Sequence, residues 1–284
     1  MTIIAYGKPI AEKIRAQIKK EIDENGYSPK LVIILTGNNE SGKIYVKNKQ
    51  KNAEKLGMQT VLFDFPADVT EETLISKVKE LNEDDSVDAI LVQLPLPEHI
   101  NKYNVLDEIS PQKDVDGFHF VNSGKLFQNR DTWAYPCTPT GILKLLKEYN
   151  VEIEGKHAVV IGRSEIVGKP LALMLMHENA TVTLLHSKSK KPEFYLKNAD
   201  IIVCAVGKPG LLKGSCVKEG AVVIDVGINR VDGKIIGDVD FESVYPKTSL
   251  ITPVPGGIGP LTIVHLALNT LKLHKLRLKK GFKS

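Results

Sequence analysis

Tyr45 and Lys49 stand four residues apart in IYVKNKQKNAEKLG, a stretch that reads as a helix, so their side chains share a face. A phenol beside an ammonium can do chemistry. The ring can stack on a flat heterocycle, and the amine can donate to an oxyanion or trade a proton when burial lowers its proton affinity. The spacing alone is common on helix surfaces. Gln93 is more pointed: it ends a predicted strand and runs into Leu94-Pro95-Leu96-Pro97, and ligands of open parallel sheets bind beyond the carboxyl ends of strands. Asp116, in the tight KDVDG loop, is the candidate buried carboxylate, and Asp114, two residues earlier, competes with it.

A second constellation begins at Gly162. The apolar run His157 to Ile161 reads as a buried strand, Gly162-Arg163-Ser164 as a sharp turn, and Ile166 to His177 as a helix. Strand, small-residue turn and helix form the phosphate-binding start of a dinucleotide fold, with helix-start amides free to face a pyrophosphate. Ser164 and Val167 stand where the second and third glycines of GxGxxG would be. NAD enzymes usually carry an acid about 20 residues further on for the ribose 2′-hydroxyl. Here the next strand, TVTLL, ends in His186-Ser187-Lys188-Ser189-Lys190-Lys191, with no acid and three lysines. A 2′-phosphate suits that better, with Arg163 and Ser187 as its first candidates, and the expected cofactor is NADP.

The positioning elements follow from periodicity. Helices are predicted over Pro9–Glu24, Ser41–Leu56, Thr70–Leu81 and Tyr103–Ile109, and strands over Leu31–Leu35, Gln59–Phe65 and Asp88–Gln93, with a loop at Thr36-Gly37-Asn38-Asn39. Thr138-Pro139 reads as a cap and first turn for the helix through ILKLLKEY. After it come strands over 157–161, 181–185, 201–204 and 221–225, an edge pairing at Lys234–Ile236, and a short strand Ser249–Thr252. Alternating strands and helices imply an α/β protein with parallel sheets. A rigid loop, Pro253 to Pro260, precedes a last helix over Thr262–Lys275, and KLRLKKGFKS reads as a solvated, fraying tail.

At 284 residues the chain can hold two ordinary domains. Its 42% apolar and 25% charged residues are those of a globular protein. A net charge of +4, without zinc-finger or RNA-binding spacing, does not argue for nucleic acid. Cys137, Cys204 and Cys216 are far apart and odd in number, which supports neither a metal site nor a disulfide framework. No apolar run approaches a membrane span and no signal peptide is evident, so a cytoplasmic protein is expected.

YVKNKQKNAEKLGM, VQLPLP, KDVDGF, PCTPTG, GRSEIVGKP, ATVTLLHS, IDVGINR and PVPGGIGPLT together resemble, in order, the bifunctional methylenetetrahydrofolate dehydrogenase/methenyltetrahydrofolate cyclohydrolase (FolD) family. The resemblance implies an N-terminal α/β folate domain over 1–120, completed by a helix at 260–280, and a Rossmann-type NADP domain over 138–256, with the site in a cleft between them. It implies that Tyr45 stacks on the folate, that Lys49 is central to hydrolysis and that Gln93, flanked by Val92 and Leu94, tunes the lysine. It further implies that Asp116 anchors the pterin. Pro255, Gly256, Gly257, Ile258 and Gly259 would close over the folate, and Gly162, Arg163, Ser164, Ser187 and Ile228 would contact NADP. The resemblance also implies a homodimer.

Three residues depart from the family pattern. Gly42 stands where serine is common, which raises a monofunctional dehydrogenase as the alternative; Ser41, on roughly the same face, or a water is the expected partial substitute. Glu165 and Lys169 replace the usual asparagine and arginine, and Glu165 adds negative charge near the phosphates. Tyr-x-x-x-Lys also marks short-chain dehydrogenases, but there the pair follows the dinucleotide loop, whereas here it precedes it by more than a hundred residues.

Overall fold

The computed structural model describes residues 1–37 and 40–281. In chain order it holds β1 (Ile3–Ile4), α1 (Lys8–Asn25), β2 (Lys30–Thr36), α2 (Glu40–Lys55), β3 (Gln59–Phe65), α3 (Glu71–Glu83), β4 (Ala89–Val92), α4 (Lys102–Glu108) and α5 (Phe120–Phe127). Then follow α6 (Cys137–Glu148), β5 (His157–Ile161), α7 (Gly168–His177), β6 (Thr181–Leu185), α8 (Pro192–Leu196), β7 (Ile201–Cys204) and β8 (Ala221–Asp225). The chain ends with β9 (Asn229–Val231), β10 (Lys234–Ile236), α9 (Phe241–Val244), β11 (Thr248–Ile251) and α10 (Gly259–Gly281). Two compact units result: residues 1–13 with 136–262, and residues 14–135 with 263–284.

In the second unit β3, β2 and β4 form a parallel sheet in that order. β2, the central strand, is buried beyond its first residue, whereas β3 alternates at the edge, as expected of a central and an outer strand under helices. Val32, Ile34 and Ile90 pack against Leu74, Val78 and Leu81 of α3. Burial of each such side chain is worth about 1.5–3 kcal/mol. Asp114 bridges Ile90 in parallel, so the KDVDG loop meets the edge of β4 at a single isolated bridge.

The first unit carries a six-stranded parallel sheet in the order β1-β11-β8-β7-β5-β6. β5 has β6 on one side and β7 on the other, so the strand order reverses there, where open α/β sheets bind ligands.

Ile3 and Ile4 pair with Leu250 and Ile251 of β11, and residues 1–13 fall in the same compact unit as 136–262. Several expectations need correction. Lys234–Ile236 pairs only with β9, as a separate antiparallel ribbon. Thr138 is not a cap: α6 starts at Cys137, and the Thr138 hydroxyl lies 3.0 Å from that of Thr262. Up to Gly281 the basic end is helix and not a loose tail, and 282–284 lie outside the described residues. It continues α10, with Lys275 paired to Glu21 and Arg277 to the buried Asp88, which also receives His274 Nδ1 at 3.0 Å. The helix α5 had no counterpart in the sequence reading, since a Ser-Gly pair interrupts its short apolar pattern. The Asn38-Asn39 loop lies outside the described residues, as does the side chain of Ser41.

Candidate active site

The helix α2 turns Val46 and Ala53 into the core, at 1% and 3% exposure. Lys49 is left half-buried and Tyr45 is exposed. Lys49 Nζ donates to Gln93 Oε1 at 2.9 Å. Gln93 follows β4, its backbone N–H donates to Ile34 O at 2.9 Å, and its Nε2 donates to Leu94 O at 2.8 Å. The amide is thereby fixed in one orientation: its nitrogen is spent on a carbonyl, and its oxygen faces the lysine. β2 lies between β3 and β4, so α2 and Gln93 meet where this smaller sheet reverses its own strand order.

The two loop aspartates separate cleanly. Asp114 is buried and accepts from the N–H of Gly117 at 3.1 Å, the N–H of His119 at 2.9 Å and Asn122 Nδ2 at 2.8 Å. Burial pushes its carboxyl above the usual carboxylate range despite those bonds. Lys113 fastens the same loop to the end of α3, donating to the carbonyls of Leu81, Asn82 and Asp84 at 2.7–3.0 Å. Asp114 is therefore spent on building the loop. Asp116, half-buried, lies in the turn two residues after the Ile90–Asp114 bridge. Val92 is 3% exposed, so only its backbone is on offer to a ligand; Leu94 is half-buried.

In the first unit Gly162 follows β5 with φ +121°, and a Cβ there would stand 2.3 Å from Ala205 O. Only glycine fits. The Ser164 hydroxyl accepts from the N–H groups of Val167 and Gly168 at 3.2 and 3.3 Å and so caps α7, which begins at Gly168 and not at Ile166. The third glycine of the fingerprint is Gly168, not the Val167 position: a Cβ on Gly168 would come 2.1 Å from Gly162 O. Glu165 pairs with Lys169 at 3.4 Å, so the two departures offset each other's charge. Beyond β6, Ser189 Oγ accepts from His186 N–H at 2.9 Å, leaving Ser187, Lys188, Lys190 and Lys191 exposed, as is Arg163 across the turn. Ile228, after β8, is 47% exposed. A turn that excludes any side chain, a capped helix start and an exposed basic rim without an acid suit a dinucleotide bearing a 2′-phosphate.

The PGGIG loop is tied within the same unit. Gly7 N–H donates to Gly256 O at 3.0 Å and Gly257 N–H to Pro253 O at 2.9 Å. Ile258 is 3% exposed, so its side chain is core and only its backbone can meet a ligand; Pro255 is exposed and Gly259 opens α10. Among the described residues no group of three or more His, Cys, Asp or Glu could hold a metal ion, and no helix is long and apolar enough to cross a membrane. Sequence reasoning passed over Asp225 and Asp238, both buried at the carboxyl side of the larger sheet. Their only signal was an aspartate beside a glycine in DVG and GDVD.

The chain is similar to known proteins along nearly its whole length. Residues 5–116 match the model for the tetrahydrofolate dehydrogenase/cyclohydrolase catalytic domain, and residues 136–278 match that for its NAD(P)-binding domain. A curated relative from Sulfurihydrogenibium sp., named Bifunctional protein FolD, is 52% identical over 97% of this chain and 99% of its own. The solved bifunctional FolD dehydrogenase/cyclohydrolase of Campylobacter jejuni is similar with a TM-score of 0.95 at 46% identity, covering 98% of this chain and all of that one. The Trypanosoma brucei dehydrogenase-cyclohydrolase, solved with NADP cofactor and inhibitor, is similar with a TM-score of 0.94 at 38% identity, over 98% of this chain and 99% of that one.

Proposed function

The chain belongs to the tetrahydrofolate dehydrogenase/cyclohydrolase family, and from that membership we propose that it oxidises 5,10-methylenetetrahydrofolate with NADP and then hydrolyses the methenyl product to 10-formyltetrahydrofolate. The observation that carries the second activity is the Lys49–Gln93 hydrogen bond at the carboxyl side of β4.

Hydride transfer asks the protein mainly for positioning. NADP, when bound, supplies the hydride acceptor. Gly162 and the α7 start would hold its pyrophosphate, Arg163, Ser187 and the neighbouring lysines its 2′-phosphate, and Ile228 its other half. On the folate side, Tyr45 offers an exposed ring to the pterin and Asp116 a carboxylate to its ring nitrogens. Hydrolysis demands more. One water adds to the cationic methenyl carbon and loses a proton, the resulting hydroxyl gives up its proton as the formyl carbonyl forms and a carbon–nitrogen bond breaks, and the freed nitrogen takes one up, leaving one proton released overall. Lys49 has three donors and spends one on Gln93, so its amine can orient the water and relay the proton. Gln93 holds it without adding a charge beside a cationic substrate.

The reading extends to a cytoplasmic homodimer that supplies formyl units for purine assembly; sedimentation of the purified chain at the mass of a monomer would remove the dimer. Mixing the protein with NADP and methylenetetrahydrofolate tests the first activity. The NADPH absorbance should rise, followed by loss of the methenyl chromophore, with NAD at least about tenfold less effective for want of a 2′-phosphate. A strong preference for NAD would overturn the cofactor assignment. NADPH formation with no hydrolysis would reduce the enzyme to a dehydrogenase.

A further inference from the structure

The loops that follow β7 and β8 are gathered by two buried aspartates. Asp238, between β10 and α9, is fully buried. Its Oδ2 accepts from the N–H of Val206 at 2.7 Å and of Gly207 at 2.9 Å, and its Oδ1 from the N–H of Lys208 at 2.8 Å and from Asn229 Nδ2 at 2.9 Å. Three successive amides around one anion form a nest of the kind that elsewhere holds a phosphate; here the protein's own carboxylate fills it. A carboxylate has about four acceptor directions, and four donors occupy them.

Asp225, the last residue of β8, accepts from Gly227 N–H at 3.0 Å and Asp238 N–H at 2.9 Å on Oδ1, and from Val239 N–H at 3.0 Å on Oδ2. The pair is interlocked through bare backbone. A Cβ on Gly227 would stand 2.1 Å from Asp238 Oδ1, and one on Gly237 would stand 1.8 Å from Asp225 Oδ2. Ile228 lies between Gly227, bonded to Asp225, and Asn229, bonded to Asp238. Val206–Lys208 follows Ala205, whose carbonyl lies against Gly162. The turn after β5 and the loops after β7 and β8 are therefore fixed to one another, on the side of the strand reversal away from Ser187 and its lysines.

We propose that Asp238, backed by Asp225, is a positioning residue for the nicotinamide half of NADP, clamping the loop after β7 to Asn229 so that Ile228 and Val206–Lys208 are presented at a fixed height. The inference rests on the dinucleotide reading of Gly162–Gly168. Adenosine and its 2′-phosphate belong at the end of β6, so the other half of the cofactor must cross to β7 and β8.

The test compares wild type with Asn229→Ala, which removes one donor at the edge of the cluster, and Asp238→Asn, which turns one acceptor into a donor facing N–H groups. The readouts are NADP affinity by calorimetry, KM for each substrate, hydrolysis of methenyltetrahydrofolate without NADP, and the melting temperature. Asn229→Ala should weaken NADP binding and raise its KM about fivefold to tenfold, the loss of one hydrogen bond of ordinary net strength, with the folate KM and hydrolysis within about twofold of wild type. Asp238→Asn should do the same more strongly; where it fails to fold, Asn229→Ala alone decides. Wild-type NADP affinity in Asn229→Ala would overturn the proposal, as would a parallel loss of hydrolysis and melting temperature. Failure of the wild-type protein itself to bind NADP would instead overturn the dinucleotide reading.

Discussion

Gln93 meets Lys49 with its carbonyl oxygen, because its amide nitrogen is already given to Leu94 O. A lysine at that position is aimed by a neutral group whose orientation it cannot reverse. That relationship makes the two half-reactions separable. Lys49→Met keeps the length and apolar stem of the side chain but removes every donor. Hydrolysis of methenyltetrahydrofolate should fall at least about a hundredfold, the low end of what a positioned acid–base group contributes, while NADPH formation is at least partly retained. Gln93→Leu, which leaves Lys49 present but unaimed, should lose hydrolysis less severely. Hydrolysis at the wild-type rate in Lys49→Met would remove the lysine from the site.

The loop carboxylates give a second separation. Asp114 is buried and enclosed by three N–H donors, whereas Asp116 is half-buried. Asp116→Ala should weaken folate binding in both reactions while leaving the melting temperature within a few degrees. Asp114→Ala orphans the donors of Gly117, His119 and Asn122, each worth about 1–3 kcal/mol when left unsatisfied, and should lower stability first. Unchanged folate affinity in Asp116→Ala would remove Asp116 from the site.

What the sequence disclosed and what it hid divide along physical lines. Long periodic segments such as Gln59–Phe65 and the run from Thr181 to Leu185 were legible because one face or a whole strand is apolar. The Tyr45–Lys49 face and the strand ending at Gln93 were legible because helix and strand periods are local. The pairing of Lys49 with Gln93 was supplied by resemblance, since forty-four residues separate them. Residues that act through distant backbone stayed hidden. Ile3 and Ile4 form a strand only because β11 is beside them. Gly168 takes the role assigned to the Val167 position because Ser164 moves the helix start by two residues. A basic tail became helix because Asp88, far upstream, needs its partners.

Two buried aspartates, one in each unit, should make stability respond to acid in opposite senses. Burial works against the charge of Asp88, but hydrogen bonds from His274, Arg277 and the N–H of Lys30 outweigh it and hold the carboxyl below its usual range. Its contribution is present above the unfolded value of about 3.9 and is lost as pH falls through the lower folded value. Asp225 is pushed up to about 6 by burial first, and by the charge of Asp238 after it, against three amide hydrogen bonds. Its folded form binds the proton more tightly than the unfolded chain does. Its charge therefore costs stability at neutral pH, and the cost is relieved as pH falls from about 7 towards 4. At about 1.4 kcal/mol per unit, that relief is on the order of 2–3 kcal/mol. Denaturant unfolding from pH 7.5 to 3 should follow the two units separately: the first should gain stability down to about pH 5, a gain abolished in Asp225→Asn, and in the second, where the raised carboxyl of Asp114 works in the opposite sense, the Asp88 contribution is read as a smaller loss below about pH 4 in Asp88→Asn than in wild type. A wild-type profile for Asp225→Asn between pH 7 and 5 would show that Asp225 does not titrate there.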